Sequence, residues 1–209
     1  PAAEVQAVDF EGQRVLVVER FDRRWTADGR LLRLPQEDGC QALGVPPVRK
    51  CESDGGPGIR ALLNLLKGSD DPAADQEMLL RAQIFFWLVG ATDGHAKNVS
   101  VFLMPGGRFR LAPLYDILSA QPNLDAGELT RSQMKLAMAV GDERHYVLHT
   151  VMPRHFVQTA APAGFVEARV RALFEELLAT LPAASLRETK RLMKQSVAAL
   201  VPQVMQAEG

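Results

Sequence analysis

The chain has 209 residues, enough for one domain with a sizeable core. Its composition, 47% hydrophobic and 23% charged, is that of a globular protein, and no run of about 18 apolar residues suggests a membrane span. A net charge of -1 argues against a strong polyelectrolyte partner, so direct binding of nucleic acid would need a local basic patch.

Val15 to Val18 read as a strand that ends in the charged stretch Glu19-Arg20-Phe21-Asp22-Arg23-Arg24. Arg30 to Leu34 suggest a second short strand, and Gln36 to Leu43 a short helix stopped by Gly44 and Pro46. Cys40 and Cys51 lack a paired CxxC pattern and read as two reduced thiols. SDGGPG (53–58) is a loop on its Gly and Pro content, before a helix over 59–66. It could hold a phosphate at that helix N-terminus, although a plain loop explains it as well.

Asp71-Pro72 predicts an N-cap and a proline in the first turn, opening a helix that ends at Gly90. Its second half, 84–89, is apolar on every side and should lie at the centre. Residues 99–103 and 108–112 flank Met104-Pro105-Gly106-Gly107, a hairpin pattern. A strand or apolar loop over 133–140 follows, and the remainder reads as helical: 153–160, an amphipathic 165–181, and a last helix opened by a capping box at Ser185 and Glu188. Arg187, Lys190, Arg191 and Lys194 would form its wet face. His145 and His149 stand four apart, but no third metal ligand accompanies them, so packed or solvated rings are the expectation.

The chemistry concentrates in GATDGHAKNVSVFL (90–103). The hairpin should bring Asn98, just before its first strand, near Asp116, just after its second, with Asp93 on the loop leaving the buried helix. Such an oxygen set suits a hard cation such as Mg²⁺ that also binds phosphates and water. Asp, four residues, then Asn is also the catalytic-loop spacing of protein kinases, with a further Asp beyond a hairpin holding metal. On pattern alone, a structural turn and a kinase-type site both remain open.

At these residues the chain resembles the HipA family of bacterial serine/threonine kinase toxins. The matching stretches include VLVVERFDRRW (15–25), LRLPQEDGCQALG (32–44), ESDGGPGI (52–59), FWLVGATDGHAKNVSVF (86–102), RLAPLYDILSA (110–120) and KLAMAVG (135–141). The resemblance implies an α+β, mainly α, protein-kinase-like C-terminal lobe with a small catalytic β-hairpin. It divides the chain into hinge-side strands (1–35), a catalytic core (36–120) and a C-terminal helical part (121–209). It implies Asp93 as catalytic base and Asn98 and Asp116 as Mg²⁺ ligands. ATP would be bound by Glu19, Arg20 and Phe21 at the hinge and by His95, Ala96, Lys97, Asn98, Tyr115 and Asp116 on the phosphate side. Ala91-Thr92 stand where ordinary protein kinases carry His-Arg, and Tyr115-Asp116-Ile117 where they carry Asp-Phe-Gly; both are features of the HipA family.

The resemblance also implies a toxin causing growth arrest or persistence in the cytoplasm. Its partners would be a HipB-like DNA-binding antitoxin, with any DNA contact made weakly or through it, and a protein substrate such as glutamyl-tRNA synthetase. The family's N-terminal lobe, with its phosphate-covering loop and nucleotide-pairing Lys, finds no match here. The chain starts at Pro1 and its first methionine is Met78, so a piece of a longer protein is expected, one that alone binds nucleotide poorly. The competing expectation is a non-catalytic module that docks an antitoxin or a separate N-lobe.

Overall fold

The structure, a computed structural model, describes residues 1–181. The expected capping box at Ser185 and the basic face at 187–194 lie outside the described residues.

The chain begins with two ribbons. β1 (Val5–Phe10) and β2 (Gln13–Val18) pair antiparallel across Glu11-Gly12, whose φ values of 49° and 79° are the two left-handed positions of a tight hairpin turn. The sequence reading had found only the second of these strands. β3 (Arg23–Trp25) and β4 (Leu31–Arg33) form the second ribbon. Both ribbons leave apolar side chains in water, among them Phe10, Leu16, Val18, Trp25 and Leu31.

β5 (Gln36–Asp38) corrects the helix expected over Gln36 to Leu43. Only Gly39–Ala42 is helical (α1); the three residues before it pair with a later strand. Asp38 makes the switch: its carboxylate accepts from the Gln41 N–H at 2.9 Å, while its own N–H donates to the Gln41 side chain at 3.0 Å. Gln36 and Glu37 favour helix by propensity, but a few tenths of a kcal/mol per residue give way to the ladder that pairs 36–38 with 100–102. Gly39 sits where the chain crosses the core. A Cβ there would stand 2.7 Å from Leu62 and 2.8 Å from the Ala96 carbonyl, so only glycine fits.

α2 (Ile59–Leu66) leads to the central helix α3 (Pro72–Val89), which has the expected ends. The Asp71 carboxylate accepts from the Ala74 N–H at 3.2 Å, Pro72 occupies the first turn, and Gly90 closes the helix at φ 67°. Ile84, Phe86, Trp87 and Leu88 are buried, as the all-round apolar run predicts. Trp87 packs against Phe156 and Phe174 and donates its indole N–H to the Leu148 carbonyl at 3.0 Å. Each large side chain buried in this way contributes about 1.5–3 kcal/mol.

β6 (Ser100–Met104) and β7 (Arg108–Leu111) form the expected hairpin and complete a three-stranded sheet, order β5-β6-β7. Asp75 on α3 accepts from the Leu111 N–H at 2.9 Å, fixing the sheet on the helix. α4 (Gln121–Asp125), β8 (Lys135–Val140), β9 (His145–Val147), α5 (Pro153–Ala160) and α6 (Glu167–Thr180) follow. β9 corrects the expectation that everything beyond residue 140 is helical, and the described residues mix helix (41%) with strand. His145 lies on β9, so it shares no helix face with His149; its ring stacks on His155 at 3.8 Å. An ion-pair network of Glu77, Arg81, Arg169 and Glu176 joins α3 to α6.

Candidate active site

Beyond Gly90 the chain runs across the end of α3 in a loop that has little freedom. Gly94 lies against the buried Phe86 ring, and a Cβ there would fall inside the ring's van der Waals shell. The loop therefore carries Asp93 outward, with a side chain 65% exposed, while His95 and Asn98 turn inward and are buried.

Asn98 is the centre of the arrangement. Its side-chain NH₂ donates to the Asp93 carbonyl at 2.9 Å and to the Asp116 carboxylate at 3.3 Å. The three residues picked out by spacing thus meet at one amide group, leaving the Asn98 side-chain oxygen available. Asp116 adopts a left-handed backbone, φ 57°, an uncommon conformation for a residue with a side chain and one that tends to persist where surroundings impose it. Tyr115 imposes it here: its hydroxyl donates to the Lys97 carbonyl at 2.7 Å and shares a second 2.7 Å hydrogen bond with Ser100. Burial raises the Tyr115 pKa, so the hydroxyl stays protonated and able to donate.

His95 faces Asp93 through Nε2, 3.4 Å from the carboxylate, and its Nδ1 is buried without a partner. Burial lowers the His95 pKa against the opposing pull of Asp93. A neutral ring with its proton on Nε2 satisfies both observations. Ala96 is fully buried in the core, so its side chain meets no ligand, and Lys97 is half-buried.

In the segment expected to be the hinge, the Glu19 N–H donates to the Glu4 carbonyl at 2.9 Å, continuing the β1–β2 pairing, and the Glu19 side chain is exposed. Arg20 is committed elsewhere. Its guanidinium makes two 2.8 Å hydrogen bonds to Asp22, which is 2% exposed and also pairs with Arg23. Arg20, helped by Arg23 and against the cost of burial, holds the Asp22 carboxyl down at about 2. Asp22 and Ser100 were not singled out from the sequence; the polar-apolar pattern of ERFDRR (19–24) was the one available signal. Phe21 packs edge-on against Phe102 and tilted against Tyr115, with ring centroids 5.8 and 5.7 Å apart, so the 19–21 segment and the Asp116 turn share one aromatic cluster.

Among the described residues, no group of three His, Cys, Asp or Glu could cage a metal ion. The oxygens present, one carboxylate and one amide, suit Mg²⁺ delivered with a polyphosphate, which keeps waters and phosphate oxygens as its other ligands. The donor set therefore fits a shared ion and not a resident one.

The architecture has solved counterparts. One is a chain of the Shewanella oneidensis MR-1 complex of HipA, HipB and operator DNA (TM-score 0.69, 24% identity, 98% of this chain and 52% of that one). Another is the Helicobacter pylori proinflammatory kinase CtkA (TM-score 0.54, 10% identity, 98% of this chain and 81% of that one). These likenesses define a kinase-like fold of mixed helix and strand. Residues 1–185 match the model of the HipA-like C-terminal domain, and the chain belongs to that family. Its curated relatives include the putative kinase Y4mE of Sinorhizobium fredii, 44% identical over 66% of this chain and 32% of that protein. The serine/threonine-protein kinase toxin HipA of Shewanella oneidensis is 34% identical over 68% of this chain and 34% of that protein. The chain thus spans about a third of the length of these two relatives.

Proposed function

We propose that the chain is the catalytic lobe of an ATP-dependent serine/threonine protein kinase, active when joined to the lobe that covers the nucleotide. The observation that carries this reading is the Asn98 amide, which gathers Asp93 and Asp116 at the mouth of a rigid hairpin. Asp93 is the exposed carboxylate, free to meet an incoming hydroxyl. It takes the hydroxyl proton as the oxygen bonds to the γ-phosphorus and the bond from that phosphorus to the bridging oxygen breaks, releasing ADP. The Asn98 oxygen and Asp116 would hold an Mg²⁺ that arrives with ATP, and the ion would supply neutralisation of phosphate charge. Tyr115 fixes the turn that aims Asp116, and His95 steadies Asp93. The Arg20 N–H and the Phe21 backbone groups would meet the adenine, since the Glu19 N–H is taken by Glu4 and the Arg20 carbonyl by Arg23, while the Arg20 side chain, tied to Asp22, shapes the hinge.

By likeness to a HipA solved with HipB and operator DNA, the intact protein is a toxin held by a HipB-like antitoxin. It acts in the cytoplasm on a protein substrate, for which a translation factor such as glutamyl-tRNA synthetase is the first candidate. The test is transfer of labelled phosphate by the full-length protein. Asp93→Asn should lower kcat by at least about 10³-fold while the fold is kept; undiminished transfer would remove Asp93 from its role. The competing reading is a docking module without catalysis. Full-length protein that binds an antitoxin yet neither binds nor turns over MgATP would establish it.

A further inference from the structure

We propose that Lys50 is a positioning residue of this same site, an inference that rests on the kinase reading above. One oxygen of the Asp93 carboxylate, Oδ1, faces two nitrogens: His95 Nε2 at 3.4 Å and Lys50 Nζ at 3.9 Å. His95 belongs to the same loop as Asp93. Lys50 arrives from a distant segment, and no motif in the sequence points to it. The Asp93 side chain is 65% exposed, so the carboxylate stays open to an incoming hydroxyl. Lys50 and His95 therefore flank the carboxylate at Oδ1 without closing it off from solvent.

The segment that carries Lys50 is held on both sides. The Arg49 N–H donates to the Pro46 carbonyl at 2.9 Å, and the Asp54 and Gly56 N–H groups both donate to the Cys51 carbonyl at 3.0 Å. The half-buried Glu52 carboxylate accepts from the Ala139 N–H of β8 at 2.7 Å and lies 3.4 Å from the Arg144 guanidinium. Gly56 packs against the Arg49 and Cys51 carbonyls and Gly58 against the Glu52 carboxylate, and neither leaves room for a Cβ. SDGGPG thus has a role other than a phosphate cradle. Its glycines let the loop close on Glu52, and Glu52 ties the loop to β8. A long side chain rooted in so fixed a backbone delivers its charge to one place. The Lys50 ammonium, 44% exposed, stands on the rim of the site where the γ-phosphoryl group must arrive. There it orients Asp93 and offsets the charge that builds up on transfer.

The test compares full-length wild type with Lys50→Met, Lys50→Arg and Asp93→Asn. Labelled phosphate from MgATP is followed into the protein itself and into myelin basic protein, and thermal midpoints are recorded. Lys50→Met should lower kcat about 10- to 100-fold, with KM for ATP within about 3-fold and Tm within about 2 °C of wild type. Lys50→Arg should recover most of the loss. The proposal is overturned if Lys50→Met keeps kcat within about twofold while Asp93→Asn abolishes transfer. It is also overturned if the loss tracks a lowered Tm and Arg does not restore it, which would make Lys50 a packing residue. Wild type without transfer, or Asp93→Asn with full transfer, refutes the kinase reading and this inference with it.

Discussion

Asp22→Asn tests whether the segment after β2 is held by charge. Asp22 is 2% exposed and accepts two hydrogen bonds from Arg20, with Arg23 beside it and Arg33 at 4.0 Å. Its folded pKa of about 2 stands below an ordinary 3.8. At about 1.4 kcal/mol per unit, the gap corresponds to about 2 kcal/mol of stability. Because the folded pKa is depressed, this contribution is complete above the unfolded value near 3.8 and disappears as pH falls through about 2. Urea unfolding followed by the fluorescence of Trp25 and Trp87 measures it. At pH 7 the variant should be about 2 kcal/mol less stable than wild type, and the difference should shrink between pH 4 and pH 2. A variant within about 0.5 kcal/mol of wild type at pH 7 would refute the charge argument. A difference that persists undiminished at pH 2 would assign the effect to packing.

Other outcomes follow from the same contacts. Gly94→Ala forces a methyl group against the buried Phe86 ring; it should cost about 1–3 kcal/mol in urea unfolding and, by moving Asp93, lower phosphate transfer by the full-length protein. Tyr115→Phe removes the hydroxyl that serves Lys97 and Ser100, with a loss of about 1 kcal/mol and weaker binding of MgATP by the full-length protein as the Asp116 turn loosens. His155 is buried beside His145 and Arg154, and burial first, then these neighbours, lower its pKa to about 4. Its folded form resists protonation while the unfolded form does not, so stability should fall by about 3 kcal/mol as pH drops from 6.5 to 4. His155→Gln should flatten that slope, and an unchanged slope would point to other groups.

Much of this was legible in the chain because the signals were local. Asp71-Pro72 and Gly90 mark the ends of α3 through capping alone, and the Pro-Gly-Gly turn announces the β6–β7 hairpin. That hairpin in turn brings Asn98 to Asp116, so the geometric heart of the site could be inferred from spacing. What was missed depends on partners far away in sequence. Gln36-Glu37-Asp38 looks helical until β6 offers a ladder, and His145-Tyr146-Val147 becomes a strand only beside β8. Asp22 looks like one more surface charge, because its burial is created by three arginines folding over it. Lys50 reaches Asp93 only through a loop whose closure depends on Glu52 meeting β8.

The β1–β2 ribbon has a practical consequence. Each of its strands pairs on one side, so each outer edge presents a row of backbone donors and acceptors, flanked by Phe10, Leu16 and Val18 in water. An edge of that kind will accept another strand from whatever chain reaches it first. The chain is therefore adhesive at one end. Its behaviour at high concentration would be governed by that short ribbon rather than by the well-packed core around α3.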